Sequence, residues 1–335
     1  MKYSKNYNRR LFIKASALAG AGISLFPLSS SSFPGVLSSV AGKRIGIIGL
    51  DTSHSQVFTK AINNGGPEMA GYKVVAAYPH GSRDIPSALK MKPDVIDAVK
   101  ALNVEIVSSI EELIKKVDVV LLESNDGRVH YEQALPVLHA GKRMFIDKPI
   151  AAKEKDAILI FEASKKYKSP IFSSSALRFD SNVQQVVSGS IGRVTGADVY
   201  TPAEIDKNHM DLAWYAIHGV EMLFTVMGQG CKTVSRVYQD GTDLITGVWE
   251  DGRIGTVRGI RQGASNIAGT AFGEKGIAAL GPFRSYDPLI AQIIAFFQTG
   301  KPPVSEEETL EIFSFIAAAD ISRQKNGATI ILKSR

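Results

Sequence analysis

Polar residues stand wherever the short apolar runs of this chain end. The run from Arg44 to Gly49 leads into Leu50, Asp51, Thr52, Ser53 and His54. The run from Tyr72 to Ala77 leads into Tyr78, Pro79, His80, Gly81, Ser82 and Arg83. Asp118 to Leu122 leads into Glu123, Ser124 and Asn125, and Arg143 to Ile146 leads into Asp147, Lys148 and Pro149. If each run is a strand of one parallel sheet, these groups line its C-terminal edge, where such sheets bind ligands. Asp51, His54, His80 and Glu123 have the chemistry to hold a metal ion or a sugar. Lys148 adds a charged donor at the same edge. His218 lies in an apolar stretch, Trp214 to Met227, where a polar ring needs a buried partner or an open cleft. An imidazole titrates close to neutrality and so suits general-base work, with the neighbouring Tyr215 able to relay the proton.

The elements that would position these groups can be read from pattern. Strands are expected at 44–49, 72–77, 105–107, 118–122, 143–146 and 171–172. Helices are expected between them at 57–63, 94–102, 130–140 and 153–167. Ser109 with Glu112 three residues on predicts a capping box before Leu113. Alternating strands and helices imply an α/β fold with a doubly wound, mostly parallel sheet. After about Leu177 longer strands follow, at 194–200, 233–238, 244–249 and 255–260, as in a large, mainly antiparallel sheet. A helix at 214–227 precedes the last three of these, and two late helices are read at 288–299 and 306–323. The expected division is a leader at 1–41, a Rossmann-type domain at 42–176 and a substrate-binding α+β domain at 177–335.

Composition narrows the function classes. The 335 residues carry 39 basic and 33 acidic side chains. Five of the basic ones, Lys2, Lys5, Arg9, Arg10 and Lys14, fall in the first 41 residues, which hold no acid. Without those five, 34 basic residues face 33 acidic ones, so the body has no basic footprint for nucleic acid. Cys231 is the single cysteine, which excludes an internal disulfide. Arg9-Arg10, an apolar run of about 14 residues that is too short to span a bilayer, and Ser39-Val40-Ala41 read as a twin-arginine signal cleaved near Ala41. That implies periplasmic localisation through the twin-arginine export machinery, which passes folded proteins. A dinucleotide would then be loaded before export and held tightly.

The segment from Asp118 to His130, with Ala140-Gly141-Lys142 and Asp147-Lys148-Pro149, resembles the Gfo/Idh/MocA oxidoreductases. The resemblance covers nearly the whole chain after the leader. It implies NAD or NADP as cofactor, a small-molecule sugar substrate and a homo-oligomer. It places Lys148 beside the nicotinamide and the reacting carbon, and it matches His218 to a histidine near that carbon. The residues it assigns to the cofactor are Gly49, Asp51, Thr52, Ser53, His54, Ser82, Arg83, Glu123, Ser124, Asn125, His130 and Lys148.

Three places depart from the family pattern. Its first loop reads Gly-x-Gly-x-x-Gly, whereas here Asp51 and His54 stand at the second and third glycine positions. Asp51 either repels a diphosphate, by ~1–4 kcal/mol, or simply caps the following helix. The acid that often follows the second strand is missing, and Arg83 there either receives a 2′-phosphate, as in NADP, or is solvated. Trp214 stands where the family often has Asp. One turn before His218, it either stacks on a sugar or belongs to the core. The resemblance thus implies an enzyme that moves hydride between a sugar and a nicotinamide, with His218 as base and Lys148 on the reacting oxygen. The alternative is a family fold with altered or lost dinucleotide binding, acting as a metal- or sugar-binding protein or as a non-redox carbohydrate enzyme.

Replacing Arg9 and Arg10 together by Lys is expected to leave uncleaved protein in the cytoplasm, as judged by fractionation and immunoblot. A normal periplasmic yield would reject the export reading.

Overall fold

Val119–Leu122 shows why the first sheet forms: all four side chains are buried, as expected of a strand covered on both faces. It is β4 of six strands, with β1 at Arg44–Ile48, β2 at Lys73–Tyr78, β3 at Glu105–Ile106, β5 at Met144–Ile146 and β6 at Ile171–Ser173. The computed structural model describes residues 42–332. The leader read at 1–41 lies outside them. The six strands are all parallel and run in the order β3-β2-β1-β4-β5-β6. Order reverses between β1 and β4, so the ligand-binding crevice of such a sheet opens beyond Ile48 and Leu122. Helices α1 (Ser53–Asn64), α2 (Pro86–Lys100), α3 (Ile110–Lys116), α4 (His130–His139) and α5 (Glu154–Tyr167) make the crossovers.

Gly49 turns the chain out of β1 with φ +88°, a conformation that L side chains rarely adopt. A Cβ there would lie 2.5 Å from the backbone of Ser124. The turn therefore depends on glycine twice over, and it brings the β1 and β4 loops into contact.

The second sheet is mixed. Its order is β12-β11-β7-β10-β9-β8-β13. The strands are β7 (Val194–Pro202), β8 (Cys231–Gln239), β9 (Thr242–Trp249), β10 (Ile254–Ile260), β11 (Ala268–Gly273), β12 (Gly276–Leu280) and β13 (Ile330–Ile331). β7 and β10 pair in parallel and every other pair is antiparallel. β9 buries alternate residues, the mark of a sheet with one covered face. α8 (Ile217–Met227) and α10 (Glu306–Gln324) lie against it, and the short α6 (Ser181–Val187) packs beside α8.

Two expectations change. The helix read at 214–227 is broken. A short α7 (Asp211–Trp214) ends at Tyr215, whose φ −127° is not helical, and α8 starts at Ile217. Asp211 is held at 3.0 Å by the fully buried Arg236 of β8, which also grips Asp243 and Asp320. Trp214 and His218 therefore do not stack one turn apart. Trp214 lies against His209, with ring centroids 4.8 Å apart. Packing also crosses the division drawn at 176. α9 (Asp287–Thr299) buries Leu289, Ile293 and Phe297 in one cluster with Ile45, Phe58 and Phe145 of the first layer.

Gly49→Ala is expected to lower stability by ~1–3 kcal/mol through overpacking against Ser124. Urea melts at constant slope measure this, and an unchanged midpoint would rule out the close approach.

Candidate functional site

Lys148, distant in sequence, meets Tyr215 and His218 beyond β5 and β6. Lys148 directly follows β5, and its backbone N–H donates to Asp147 Oδ1 at 2.8 Å. Its ammonium lies 5.8 Å from the centre of the Tyr215 ring. Tyr215, left outside both helices by the break, meets the His218 ring edge-on at 5.4 Å. His218 Nδ1 pairs with Ser175 Oγ at 2.7 Å, leaving Nε2 without a protein partner among the described residues. Glu221, one turn along α8, accepts from the Ser175 backbone N–H at 2.9 Å and pairs with Arg178. The loop after β6 is thereby fixed against the helix that carries His218. Sequence reasoning missed Ser175, although its place just past a strand's C-terminal end was the available signal.

Electrostatics keeps this group poised. Burial, then the Lys148 charge, push the His218 imidazole well below its ordinary range, so it is neutral at pH 7. Burial and then Glu204 push the Tyr215 phenol up.

The glycine-turn region departs from the capping expectation. The N-cap of α1 is Thr52, whose Oγ1 accepts from His54 N–H at 3.4 Å, so Asp51 is not the cap. Asp51 is buried and accepts from two backbone N–H groups, Ser82 at 2.6 Å and Asn125 at 3.2 Å. Its carboxylate fills the space above Gly81, where a Cβ would lie only 2.4 Å from Oδ1. The side chain thus stitches together the loops after β1, β2 and β4.

The remaining expected residues divide. Ser53 is exposed at the start of α1. Ser82 is buried, and its Oγ has no hydrogen-bond partner. Ser124 donates to Gln133 at 2.6 Å. Arg83 faces solvent in an ion pair with Glu132. His80 lies at the surface beside Lys92, away from His54. His130 is fully buried, with its ring nitrogens on the carbonyls of Ser124 and Ile150. It clamps the loop that follows Lys148 and presents no nitrogen to a ligand. His209, not singled out from sequence, similarly joins Asp206 to the Gly127 N–H.

Of the four loop residues read as potential metal ligands, His54 and Glu123 come together, and Asp147 joins them. Asp147 Oδ2 lies 2.6 Å from His54 Nδ1, and His54 Nε2 lies 2.9 Å from the Tyr286 hydroxyl. Burial raises the Asp147 carboxyl, but His54 and Lys148 outweigh it and hold the group below its usual range. Glu123 is fully buried, and burial followed by the Asp147 charge pushes it well up. A cleft of about 750 Å³ opens elsewhere, lined in part by Glu162, Cys231 and Glu311, and contains none of these residues.

Residues 43–174 match the profile of the Gfo/Idh/MocA oxidoreductase family, NAD-binding Rossmann fold. No curated protein matches by sequence. Among solved structures, the chain is similar to myo-inositol dehydrogenase from Lactobacillus casei in complex with NAD(H) and myo-inositol. They share 19% identity and a TM-score of 0.68 over 87% of this chain and 97% of that one. Scyllo-inositol dehydrogenase from the same organism, with NAD(H) and scyllo-inositol, gives 17%, 0.67, 87% and 99% in the same order. GenD2 from gentamicin A biosynthesis, in complex with NAD, gives 11%, 0.70, 88% and 97%. At these identities the likeness extends to the fold.

The residues suit the dinucleotide of this family at both ends except for Asp51. The Gly49 turn and a first turn of α1 free of acids suit a diphosphate at a helix start. Lys148, Tyr215 and His218 suit the reacting end. Asp51 does not fit, because it already holds the Ser82 and Asn125 donors and brings its own negative charge. Asp51→Gly is expected to tighten NAD binding by ~1 kcal/mol or more. Calorimetric titration of both proteins measures this, and equal affinities would show that Asp51 does not oppose the diphosphate.

Proposed function

We propose that this chain is an oxidoreductase that acts on a sugar or sugar-like polyol at Lys148, Tyr215 and His218, with NAD as its redox partner. The observation that carries the reading is the convergence of these three residues in a Gfo/Idh/MocA-type frame. The dinucleotide, when bound, supplies the hydride acceptor or donor. The chain's own residues manage the proton. The neutral His218 takes it from the substrate hydroxyl at Nε2, while Ser175 on Nδ1 fixes the ring. The Lys148 ammonium stabilises the oxygen as it gains charge. Tyr215, 38% exposed, offers the route to solvent. The inositols in the neighbouring structures support a ring polyol as the substrate class.

The twin-arginine pattern at Arg9-Arg10 supports a periplasmic site of action with the cofactor carried out in the folded protein. A cofactor held there must be regenerated in place, so one substrate is oxidised and another, or the same one rearranged, is reduced. Exposed Tyr200, Val237, Ile254, Ile277 and Ile331 on the strands of the second sheet support a homo-oligomer. The buried Asp51 favours a second reading, in which the fold acts on carbohydrate without a dinucleotide. Nicotinamide detected by mass spectrometry after gentle purification from the periplasm decides for the first reading, and its consistent absence decides for the second.

His218→Ala and Lys148→Ala are each expected to lower turnover on inositols or hexoses by ~10²–10⁴-fold, with unchanged circular dichroism. Because His218 lies below its ordinary pKa, wild-type turnover should hold steady from pH 7.5 down to 6.5. An acid limb centred above pH 6.5, or full turnover in either variant, would remove His218 and Lys148 from the roles assigned.

A further inference from the structure

Glu123 poses a problem that the redox chemistry does not use. It ends β4, is 0% exposed, and neither carboxylate oxygen has a hydrogen-bond partner. Buried carboxylates are ordinarily paired, hydrogen-bonded or bound to a cation, since an uncompensated one is costly. Glu123 feels the Lys148 charge, but the groups set beside its carboxylate are two more of the ligand type. One ligand atom from each of Glu123, His54 and Asp147 lies within 4.8 Å of the others. All three residues are buried.

The surroundings of the trio are those of a supported ligand set. His54 is gripped on both sides: Phe58 stacks on its ring with an interplanar angle of 7°, and Tyr286 Oη meets Nε2 at 2.9 Å. With Nε2–H donated to that hydroxyl, Nδ1 is left as the ligand atom, turned toward Asp147 and Glu123. Nδ1 and Asp147 Oδ2 approach to 2.6 Å, so a proton is shared between them, and an ion taken up by the trio displaces it and spreads the two atoms slightly. Asp147 keeps its other oxygen, Oδ1, on the Lys148 backbone N–H, which fixes the carboxylate plane. The ligands come from three elements, the first turn of α1 and the ends of β4 and β5, so the parallel sheet itself sets their spacing.

We infer that His54, Glu123 and Asp147 form a binding site for a divalent first-row transition ion of the Zn²⁺ or Mn²⁺ type. One imidazole and two carboxylates suit such ions better than Mg²⁺ or Ca²⁺, which favour oxygen-only shells. Three protein ligands leave at least one position for water or a substrate oxygen, as in catalytic rather than closed structural sites. The site adjoins Lys148 through Asp147, but it uses neither His218 nor Tyr215 and is measured without substrate or dinucleotide, so its failure and that of the redox reading are distinguishable.

The test uses the full chain as purified after export, stripped with EDTA and passed into chelated buffer. Zn²⁺ and Mn²⁺ are titrated by calorimetry, metal content is read by mass spectrometry, and melting is followed with and without ion. Wild type is expected to take up one ion per chain and to melt higher when it does. Glu123→Gln keeps the shape but removes the charge. It is expected to bind at least 100-fold more weakly and to melt as wild type does in EDTA. Tyr286→Phe leaves all three ligands in place and is expected to weaken binding ~10–100-fold through the loosened imidazole. The surface variant His80→Gln should bind as wild type. Failure of wild type to take up either ion, or equal uptake by Glu123→Gln, would overturn the site.

Discussion

Two backbone hydrogen bonds to the Asp51 carboxylate hold the upper edge of the parallel sheet together. Strands β1, β2 and β4 are paired by their own ladders, but the loops beyond them have no such lattice. Asp51 supplies it by drawing the Ser82 and Asn125 N–H groups to one point. Its anion does from within what a bound phosphate does in an ordinary Rossmann crevice, which is to satisfy donors that converge at the switch in strand order. Once those loops are set, Gly49 can turn against Ser124, and His54 is delivered to Asp147.

A second group of buried polar residues carries this order outward. His130 closes the loop after β5 onto the end of β4, and His209 ties the loop after β7 to the same region. Arg236 gathers Asp211, Asp243 and Asp320 and thereby anchors the first residue of α7. These are packing roles for residues whose chemistry alone invites a catalytic reading. They differ from His218 in one respect: both ring nitrogens of His130 and His209 are taken by protein groups, whereas His218 keeps one free.

Much of the fold was legible because fully buried parallel strands are short apolar runs, and the strand limits agree with the reading to within about two residues. Helix starts were less legible. α2 begins at Pro86, eight residues before the expected start at 94, because its first two turns are polar and contain Pro93, which argues against helix until tertiary packing supports it. At Ser109 the cap is present, but Glu112 returns to the Ser108 N–H rather than closing the box on Ser109. β11 and β12 went unread because Gly and Ala dominate them and leave little alternation to detect. The site was legible as residue types at strand ends and not as groupings. Pattern places His54 and Asp147 at the same edge, but only coordinates show that residues 93 positions apart meet at 2.6 Å while His80 turns away. The helix break at Tyr215 was invisible because the residues from Trp214 to Met227 are mostly apolar and carry no glycine–proline signal at that point.

The return of α9 to the first layer has a consequence for the order of assembly. Phe145 and Phe172, made by about the midpoint of synthesis, finish their packing only against Phe296 and its neighbours in the last fifth of the chain. The Rossmann layer therefore cannot complete its core while the chain is still being translated. Its apolar underside stays open until the ribosome has nearly finished, and the two sheets reach their native state together.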